Sequence, residues 1–156
     1  VGMAARLVAN SHIAVADSAS LTPAAIAIES WIQPTALPAT GTRMGIVDND
    51  GQYGLFLQPT GLLCLTVTAT VAIAVNQWTH VACTADGTTV RIYADGVQVA
   101  MGAGTPLGAG NNNGAAIGGN SPTGETLVGM IDQVRVWNAA RTAAQICTAA
   151  GKPSCP

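Results

Sequence analysis

The acidic residues are the first group whose types and spacing could perform chemistry, because glycosidic-bond hydrolysis uses two carboxyl groups placed across the scissile bond. Glu29 lies in a predicted strand and Glu125 in a predicted loop, and Asp132 has no acidic neighbour two residues away. A Glu29–Asp132 pair is the one catalytic combination that remains open. His80 lies in a predicted strand, without a Gly-x-Ser-x-Gly nucleophile motif in the chain. The sequence therefore predicts no catalytic residue and a protein that is not an enzyme.

Two polar segments carry the dense hydrogen-bonding groups that glycan recognition needs. Asp48-Asn-Asp-Gly51 precedes Tyr53, and Asn111-Asn-Asn-Gly114 follows a Gly/Ala/Pro loop. Both segments also have the composition of hairpin turns. Tyr53 is the candidate for an exposed aromatic platform, because an aromatic ring can cover the apolar face of a sugar. The candidate ligand-binding residues are Asp48, Asn49, Asp50, Tyr53, Asn111, Asn112 and Asn113.

The three tryptophans could also serve as sugar-binding platforms, but the composition favours a place in the core. Trp31, Trp78 and Trp137 fall in predicted strands, and aromatic residues make up only 4% of the chain. A chain with so few large rings needs them in its interior, so we predict that these three and Phe56 lie in the core. His80, next to Trp78, is predicted to be a packed structural histidine.

Composition excludes several classes of function. Charged residues are 9% of the chain and the net charge is −2, which offers no basic surface for nucleic acid or anionic membranes. No apolar run reaches the length of a membrane span. With 156 residues the chain is predicted to be a single domain. The low charge leaves little repulsion between copies, so self-association stays open.

The four cysteines are even in number and show no Cys-x-x-Cys zinc spacing. Cys147 and Cys155 are close in sequence and would clip the C-terminal tail, while Cys64 and Cys83 could bridge neighbouring strands. The alternative is four buried free thiols. We favour two disulfides and an extracellular, oxidising compartment.

Turn chemistry defines the predicted elements. Asp86-Gly87 and Asp95-Gly96 have the composition of two-residue type I′ turns, which divides Trp78–Val99 into a three-stranded meander. Short strands with regular turns predict an all-β, two-sheet antiparallel sandwich. A short helix is predicted from Thr142, with Gln145 completing a capping box. The further strands are predicted at residues 12–16, 25–32, 44–47, 53–57, 62–68, 115–118 and 127–137.

Four blocks in order carry a family resemblance. They are His12–Pro23, Ile26–Pro34, Val75–Val99, and Ala116–Gly119 followed by Val128–Arg141. Together they resemble a secreted bacterial LamG-like jelly roll of the laminin-G, pentraxin and concanavalin A-like lectin/glucanase group. The resemblance implies one domain over residues 1–156, with a core of about residues 5–141, adjacent N- and C-terminal strands and a helix plus disulfide-clipped tail. Glucanases of this group use a Glu-x-Asp-x-x-Glu strand motif, which this chain lacks.

The resemblance also leads us to consider calcium binding. Pentraxins hold two calcium ions near segments that correspond to Thr40–Arg43 and Gly119–Pro122, which lack carboxylates here. The resemblance therefore does not extend to that ligand site, where Arg43 adds a positive charge.

Many LamG-like jelly rolls hold one structural calcium ion between the first strand and the Asp of an Ile-Asp-x-Val-Arg block. That residue is Asp132 here, with Asn10 as its first-strand partner in place of the usual Asp. The resemblance implies a calcium ion at these two residues. The alternative is that Asp132 caps the chain or forms a salt bridge with Arg135 or Arg6.

These observations favour a secreted, non-catalytic recognition or adhesion module that binds a glycan or an extracellular protein surface. The alternatives are a self-associating structural subunit or spacer and, less favoured, a glycoside hydrolase. No nucleic acid partner is predicted.

Overall fold

The computed structural model describes residues 3–110, 112–120 and 124–156. These residues form twelve strands, a short 3-10 helix (Ala19–Leu21) and one α-helix. The bounds are β1 (Ala5–Leu7), β2 (Ile13–Val15), β3 (Ile26–Pro34), β4 (Met44–Asn49), β5 (Tyr53–Gln58), β6 (Gly61–Cys64), β7 (Val67–Thr70), β8 (Thr79–Ala85), β9 (Thr89–Ala94), β10 (Val97–Ala103), β11 (Ala115–Ile117), β12 (Gly129–Trp137) and α1 (Ala143–Ala149).

The strands form two six-stranded sheets. Sheet A has the order β1-β12-β3-β8-β9-β10, and sheet B has the order β2-β11-β4-β5-β6-β7. All neighbouring strands run antiparallel. The predicted all-β jelly roll is confirmed, and β1 and β12 lie side by side as the resemblance implies.

The core lies between the two sheets. Ile26, Ile28 and Ile32 of β3 alternate toward it and meet Leu55 and Leu57 of β5, and all five side chains are fully buried. Alternate residues of a strand point to opposite faces, so the residues between them face outward. Each buried aliphatic side chain of this size contributes about 1.5–3 kcal/mol.

The meander forms as predicted, with one shifted turn. Asp95 and Gly96 both have positive φ, at 48° and 79°, as a type I′ turn requires. At the other turn only Gly87 has positive φ, and the Asp86 N–H donates to the Thr89 carbonyl. The turn is therefore centred on Gly87-Thr88, in the II′ manner, instead of on Asp86-Gly87. The Asp86 carboxylate accepts the backbone N–H groups of Thr88 and Thr89 and holds that position.

Two strand predictions in sheet B need correction. Strand β4 continues through Asp48 and Asn49, which were predicted to lie in a turn. The single strand predicted at residues 62–68 is two strands, because Leu65 takes a positive φ of 51° and starts a tight turn between Cys64 and Val67.

Both predicted disulfides are present, Cys64–Cys83 and Cys147–Cys155. Cys64 belongs to β6 of sheet B and Cys83 to β8 of sheet A, so this bond joins the two sheets and not neighbouring strands of one sheet. The second bond closes the tail after α1, whose N-terminus has the predicted capping box between Thr142 and Gln145.

The prediction that the three tryptophans lie in the core is wrong for all three. Trp78 and Trp137 are 39% and 41% exposed, and Trp31 is half-buried. These side chains point away from the core, on the outer face of sheet A. Helix α1 covers another part of this face, where Ile146 packs against buried ring and methyl groups of β8 and β9.

Candidate functional site

The outer face of sheet B carries a polar hollow beside Asp48. Asp48 pairs with Gly54 on β5 and with Ala116 on β11, so its carboxylate lies between two small residues. A Cβ atom on Gly54 would lie 3.0 Å from Asp48 Oδ1 and 2.5 Å from the Phe56 ring. Glycine at this position therefore leaves room for both side chains.

Two loops bring charged groups to the same face. The Arg43 Nε atom is 2.9 Å from Glu125 Oε2, and Asn120 Nδ2 donates to the same oxygen at 2.8 Å. The guanidinium carbon of Arg43 lies 3.9 Å from the centre of the Phe56 ring. The Gly45 N–H donates to the Glu125 carbonyl, which ties the Glu125 loop to β4. Phe56 is buried, as predicted, but under Arg43 on the outer face and not in the core.

Arg43 separates two open cavities. The first, which we name the Asp48 hollow, has a volume of about 300 Å³. It is lined by Arg43, Asp48, Asp50, Gly51, Gln52, Tyr53, Gly54, Phe56, Leu65, Thr66, Thr105 and Asn120. The second, the Thr60 hollow, has about 540 Å³ and is lined by Thr40, Gly41, Thr42, Arg43, Gln58, Pro59, Thr60, Leu63 and Glu125. Small-molecule sites have volumes of roughly 300–1,000 Å³.

Asp48 has the electrostatic character of a site residue. It is 6% exposed, and its Oδ2 atom has no hydrogen-bond partner among the described residues. The pKa of Asp48 is raised to about 6, first by desolvation and then by the nearby Asp50, while Arg43 acts in the opposite direction. A buried, unpaired carboxyl oxygen is costly to the fold, and such groups concentrate at functional sites.

The structure unites some of the predicted ligand residues and separates others. Asp48 and Asp50 line the Asp48 hollow. Asn113 Nδ2 is 3.4 Å from Asp50 Oδ2, which brings the second polar segment beside the first. Asn112 is exposed, with a positive φ of 60°. Asn111 lies outside the described residues.

Two of the predicted ligand residues do not face the solvent as expected. Asn49 is fully buried on the inner side of β4, where its Nδ2 donates to the Leu21 carbonyl. Its side chain therefore holds the Leu21 segment. Tyr53 is 4% exposed, so the prediction of an exposed platform is wrong. Because β4 extends to Asn49, both residues occupy strand positions whose side chains point inward.

Sequence reasoning missed the groups that complete the site, namely Arg43, Phe56, Asn120 and Glu125. Its one signal was the family position of Thr40–Arg43 and Gly119–Pro122. Arg43 of the first segment and Asn120 of the second bind the same Glu125 oxygen. The lack of carboxylates in these segments directed attention away from them, although Glu125 supplies one from just beyond the second segment.

A second polar cluster lies on the outer face of sheet A. Glu29 is fully buried, and its Oε1 accepts hydrogen bonds from Arg141 Nη1 at 2.7 Å and from Trp137 Nε1 at 3.0 Å. His80 Nε2 is 3.8 Å from Glu29 Oε2. Desolvation lowers the pKa of His80, which outweighs the opposite effect of Glu29. His80 is 1% exposed and is therefore packed, as the sequence predicts, while its structural role stays a prediction.

This cluster bears on the glycosidase alternative. A catalytic carboxylate must reach the substrate, whereas Glu29 is covered by the side chains that bind it. Asp132 lies across from Trp31 on the neighbouring strand, and its Oδ1 accepts the Gln133 N–H at 2.7 Å. Glu29 and Asp132 therefore do not form a pair of carboxylates that is open to a substrate.

The calcium ligands implied by the resemblance do not meet. Ala5 pairs with Ile131, which places Asp132 beyond the start of β1, whereas Asn10 follows the other end of that strand. Within the described ranges, no three His, Cys, Asp or Glu side chains are grouped to hold a metal ion. Arg135 pairs with Gln133 and Glu29 instead of Asp132. These residues do not fit a shared calcium site, and calcium binding elsewhere stays an untested prediction.

The fold and the hollow define a jelly-roll sandwich domain with a polar site on one sheet. A family model described as the concanavalin A-like lectin/glucanases superfamily matches residues 8–147. The chain therefore belongs to that superfamily. No curated protein matches the sequence.

Solved structures with the same fold include domain 4 of AbnA, a GH43 extracellular arabinanase from Geobacillus stearothermophilus, in complex with arabinotriose. That likeness has 24% identity and a TM-score of 0.80, over 96% of this chain and 77% of the other. The CBM40 of Ruminococcus gnavus IT-sialidase, bound to α2,3-sialyllactose, is similar at 12% identity and a TM-score of 0.75, over 96% and 97%.

A putative carbohydrate-binding protein from Bacteroides ovatus has 21% identity and a TM-score of 0.72. The match covers 87% of this chain and 43% of that one, so the chain spans less than half of that relative. At these identities the likenesses establish the fold.

Proposed function

We propose that this protein is a non-catalytic carbohydrate-binding module that holds a glycan in the Asp48 hollow. The observation that carries the proposal is the Asp48 Oδ2 atom, which is buried, has no hydrogen-bond partner among the described residues and belongs to a side chain that lines an open cavity. A sugar hydroxyl in the hollow is a donor that would satisfy it once a small rotation of the carboxyl group exposes the oxygen. Such a bond to a charged acceptor contributes about 1.5–3 kcal/mol.

Arg43 supports the same proposal. Its guanidinium group stacks on Phe56 and is one-third exposed at the boundary of the two hollows. A planar group of fixed orientation offers several N–H donors for sugar oxygens. Structural neighbours with the same fold hold arabinotriose and α2,3-sialyllactose, which favours a glycan over a protein surface as the partner.

An extracellular location accompanies this function. The two disulfides require an oxidising compartment to persist. Among the described residues, no helix has the length and apolar character of a membrane span. Detection of both disulfides in protein recovered from the culture medium of its source would test the location.

The binding test uses a glycan array followed by calorimetry on the glycans that bind. We expect Asp48→Asn to weaken binding at least about ten-fold, which corresponds to about 1.4 kcal/mol. Asp132→Asn makes the same chemical change on the opposite sheet and is the matched control. Equal affinity of the Asp48→Asn variant and the wild type would place the site elsewhere, and an array without any binding at millimolar glycan would contradict the function.

Self-association is the second candidate function, favoured by strand β10. This strand is the edge of sheet A, contains no charged residue, and exposes Val97 by 63% and Met101 by 61%. Unpaired edge strands of this kind can pair with another chain. A bulge between Gln98 and Ala100 interrupts the edge, which ranks this candidate second.

Sedimentation velocity at micromolar protein tests the second candidate. A second copy paired along β10 predicts a dimer that Met101→Lys dissociates. Met3→Lys is the control, because Met3 is 99% exposed and precedes β1 at the opposite edge of sheet A. A wild-type monomer at all concentrations would contradict self-association.

A further inference from the structure

The charged groups at the Asp48 hollow are predominantly acidic. Asp48 and Asp50 line it directly, and Glu125 reaches it through its hydrogen bond with Asn120. Among the described residues that line the hollow, Arg43 is the cation, and its Nε lies 2.9 Å from Glu125 Oε2. Since Glu125 balances the charge of Arg43, the two aspartates determine the net charge that a ligand meets.

Burial makes this charge effective. Asp48 is 6% exposed, and its free Oδ2 atom is an acceptor that water does not screen well. The Asp48 side chain lines the hollow, so a small rotation of the carboxyl group would let a ligand hydroxyl donate to this oxygen. A ligand carboxylate in the same place would be repelled by the negative charge of Asp48 and would offer it no hydrogen-bond donor. A repulsive contact of this kind can reject a competing ligand even where the remaining contacts fit.

We infer that the Asp48 hollow selects uncharged glycans and rejects carboxylated ones such as sialylated or uronic-acid oligosaccharides. This inference rests on the proposed function and adds the ligand class. Asp48 provides the acceptor for a sugar hydroxyl, Asp50 adds the second negative charge, and Glu125 offsets the positive charge of Arg43.

The raised pKa of Asp48 is consistent with this arrangement. Desolvation is the larger cause and the neighbouring Asp50 the next, which shows that the hollow already resists one negative charge. A ligand carboxylate would add another.

The test compares neutral with carboxylated ligands and pairs each acid with its own methyl ester, so that charge is the main difference within each pair. A glycan array presents neutral oligosaccharides, including arabinotriose and lactose, together with α2,3-sialyllactose and trigalacturonate and the methyl esters of both acids. Binding is measured at pH 7.5, where Asp48 is ionised. We expect neutral glycans to bind at least about ten-fold more tightly than carboxylated ones, and each ester to bind more tightly than its parent acid.

Two variants test whether the negative charges at the hollow cause the selectivity. Asp50→Asn and Glu125→Gln each remove one negative charge and should narrow the ratio of neutral to carboxylated affinity, while Asp132→Asn on sheet A should leave the ratio unchanged. Carboxylated glycans that bind as tightly as neutral ones, or more tightly through Arg43, would overturn this inference and leave the proposed function standing. An array with no bound glycan of either class would overturn the proposed function and this inference with it.

Discussion

The guanidinium carbon of Arg43 lies 3.9 Å from the centre of the Phe56 ring, while the Nε atom of the same side chain is 2.9 Å from Glu125. The ring and the carboxylate fix the arginine from two directions. Phe56 comes from β5 and Glu125 from the segment before β12, so two parts of the chain far apart in sequence set one side chain at the boundary of the two hollows.

Replacement of Arg43 tests this positioning. Arg43→Lys keeps the charge but loses the planar group that stacks on Phe56. We expect a loss of glycan affinity of at least about ten-fold. Stability should fall by only about 1–2 kcal/mol, because a partly exposed cation–π contact and a partly exposed ion pair are each worth about 1 kcal/mol or less.

Calorimetric titration and urea unfolding measure the two effects. Arg91→Lys is the matched control, because Arg91 is also partly exposed and pairs with Asp86 at 3.5 Å on the other sheet. Unchanged glycan affinity in Arg43→Lys would show that a positive charge alone suffices at this position.

The pH dependence of stability should report Asp48. Its pKa is raised in the folded state from 3.8 to about 6, so ionisation opposes folding. The stabilising contribution of the protonated group is complete below about pH 4 and is lost as the pH rises through about 6. We expect Asp48→Asn to be more stable than the wild type at pH 7 by about 2–3 kcal/mol, with a difference that vanishes toward pH 4.

Urea unfolding at intervals from pH 4 to pH 7 measures this difference. Asp132→Asn should follow the wild-type curve. If the Asp48→Asn and wild-type curves run parallel over this range, Asp48 is not desolvated in the folded protein.

Replacing the Glu29 carboxylate by an amide should lower the stability of the fold, whereas the same change at Asp48 should raise it. The difference arises because Glu29 accepts hydrogen bonds from Arg141 and Trp137. Glu29→Gln leaves the Arg141 guanidinium, whose side chain is 19% exposed, without its charged partner. We expect a loss of about 2–4 kcal/mol in the free energy of unfolding, since removal of one member of a buried pair leaves an uncompensated charge. Glycan binding on sheet B should be unchanged.

Glu125→Gln is the control for this experiment, because its ion pair with Arg43 is partly exposed and should cost less than about 1 kcal/mol. Glycosidase assays of the same Glu29→Gln variant address the catalytic alternative. Hydrolysis of a glycan by the wild type that disappears in Glu29→Gln would revive that alternative.

The two disulfides should open in a fixed order. Cys64 and Cys83 are 1% and 0% exposed between the sheets, whereas Cys155 is only partly buried in the tail after α1. Mild reductant should therefore open Cys147–Cys155 first, which alkylation and mass spectrometry would detect. Equal labelling of all four cysteines at every stage would show that both bonds open through global unfolding.

Much of the fold follows from local sequence. Asp95-Gly96 marks a tight turn because its two residues tolerate positive φ, and the isoleucines of β3 alternate with residues of the other face. The turn at Leu65-Thr66 was missed because it contains neither glycine nor asparagine. The long-range register that extends β4 to Asn49 was missed as well, because it depends on β11 and β5 together.

The site was less accessible to sequence reasoning. Polar composition pointed to Asp48 and Asp50, which line the Asp48 hollow, but also to the inward-facing Asn49, since composition does not tell which side of a strand a residue occupies. The three tryptophans were placed in the core because large rings are scarce in this chain, whereas aliphatic residues fill most of the space between the sheets. Arg43 and Glu125 are separated by more than half of the chain, and only the closed sandwich brings them together.

The position of the C-terminal tail determines how the module can be presented to a surface. Helix α1 packs on the outer face of sheet A, and the tail that follows it is linked back to it by the Cys147–Cys155 disulfide. A label, bead or sensor chip coupled through this tail therefore approaches from the side of sheet A. The Asp48 hollow on sheet B would then point toward the solution, so immobilised protein should retain its full capacity for soluble glycan.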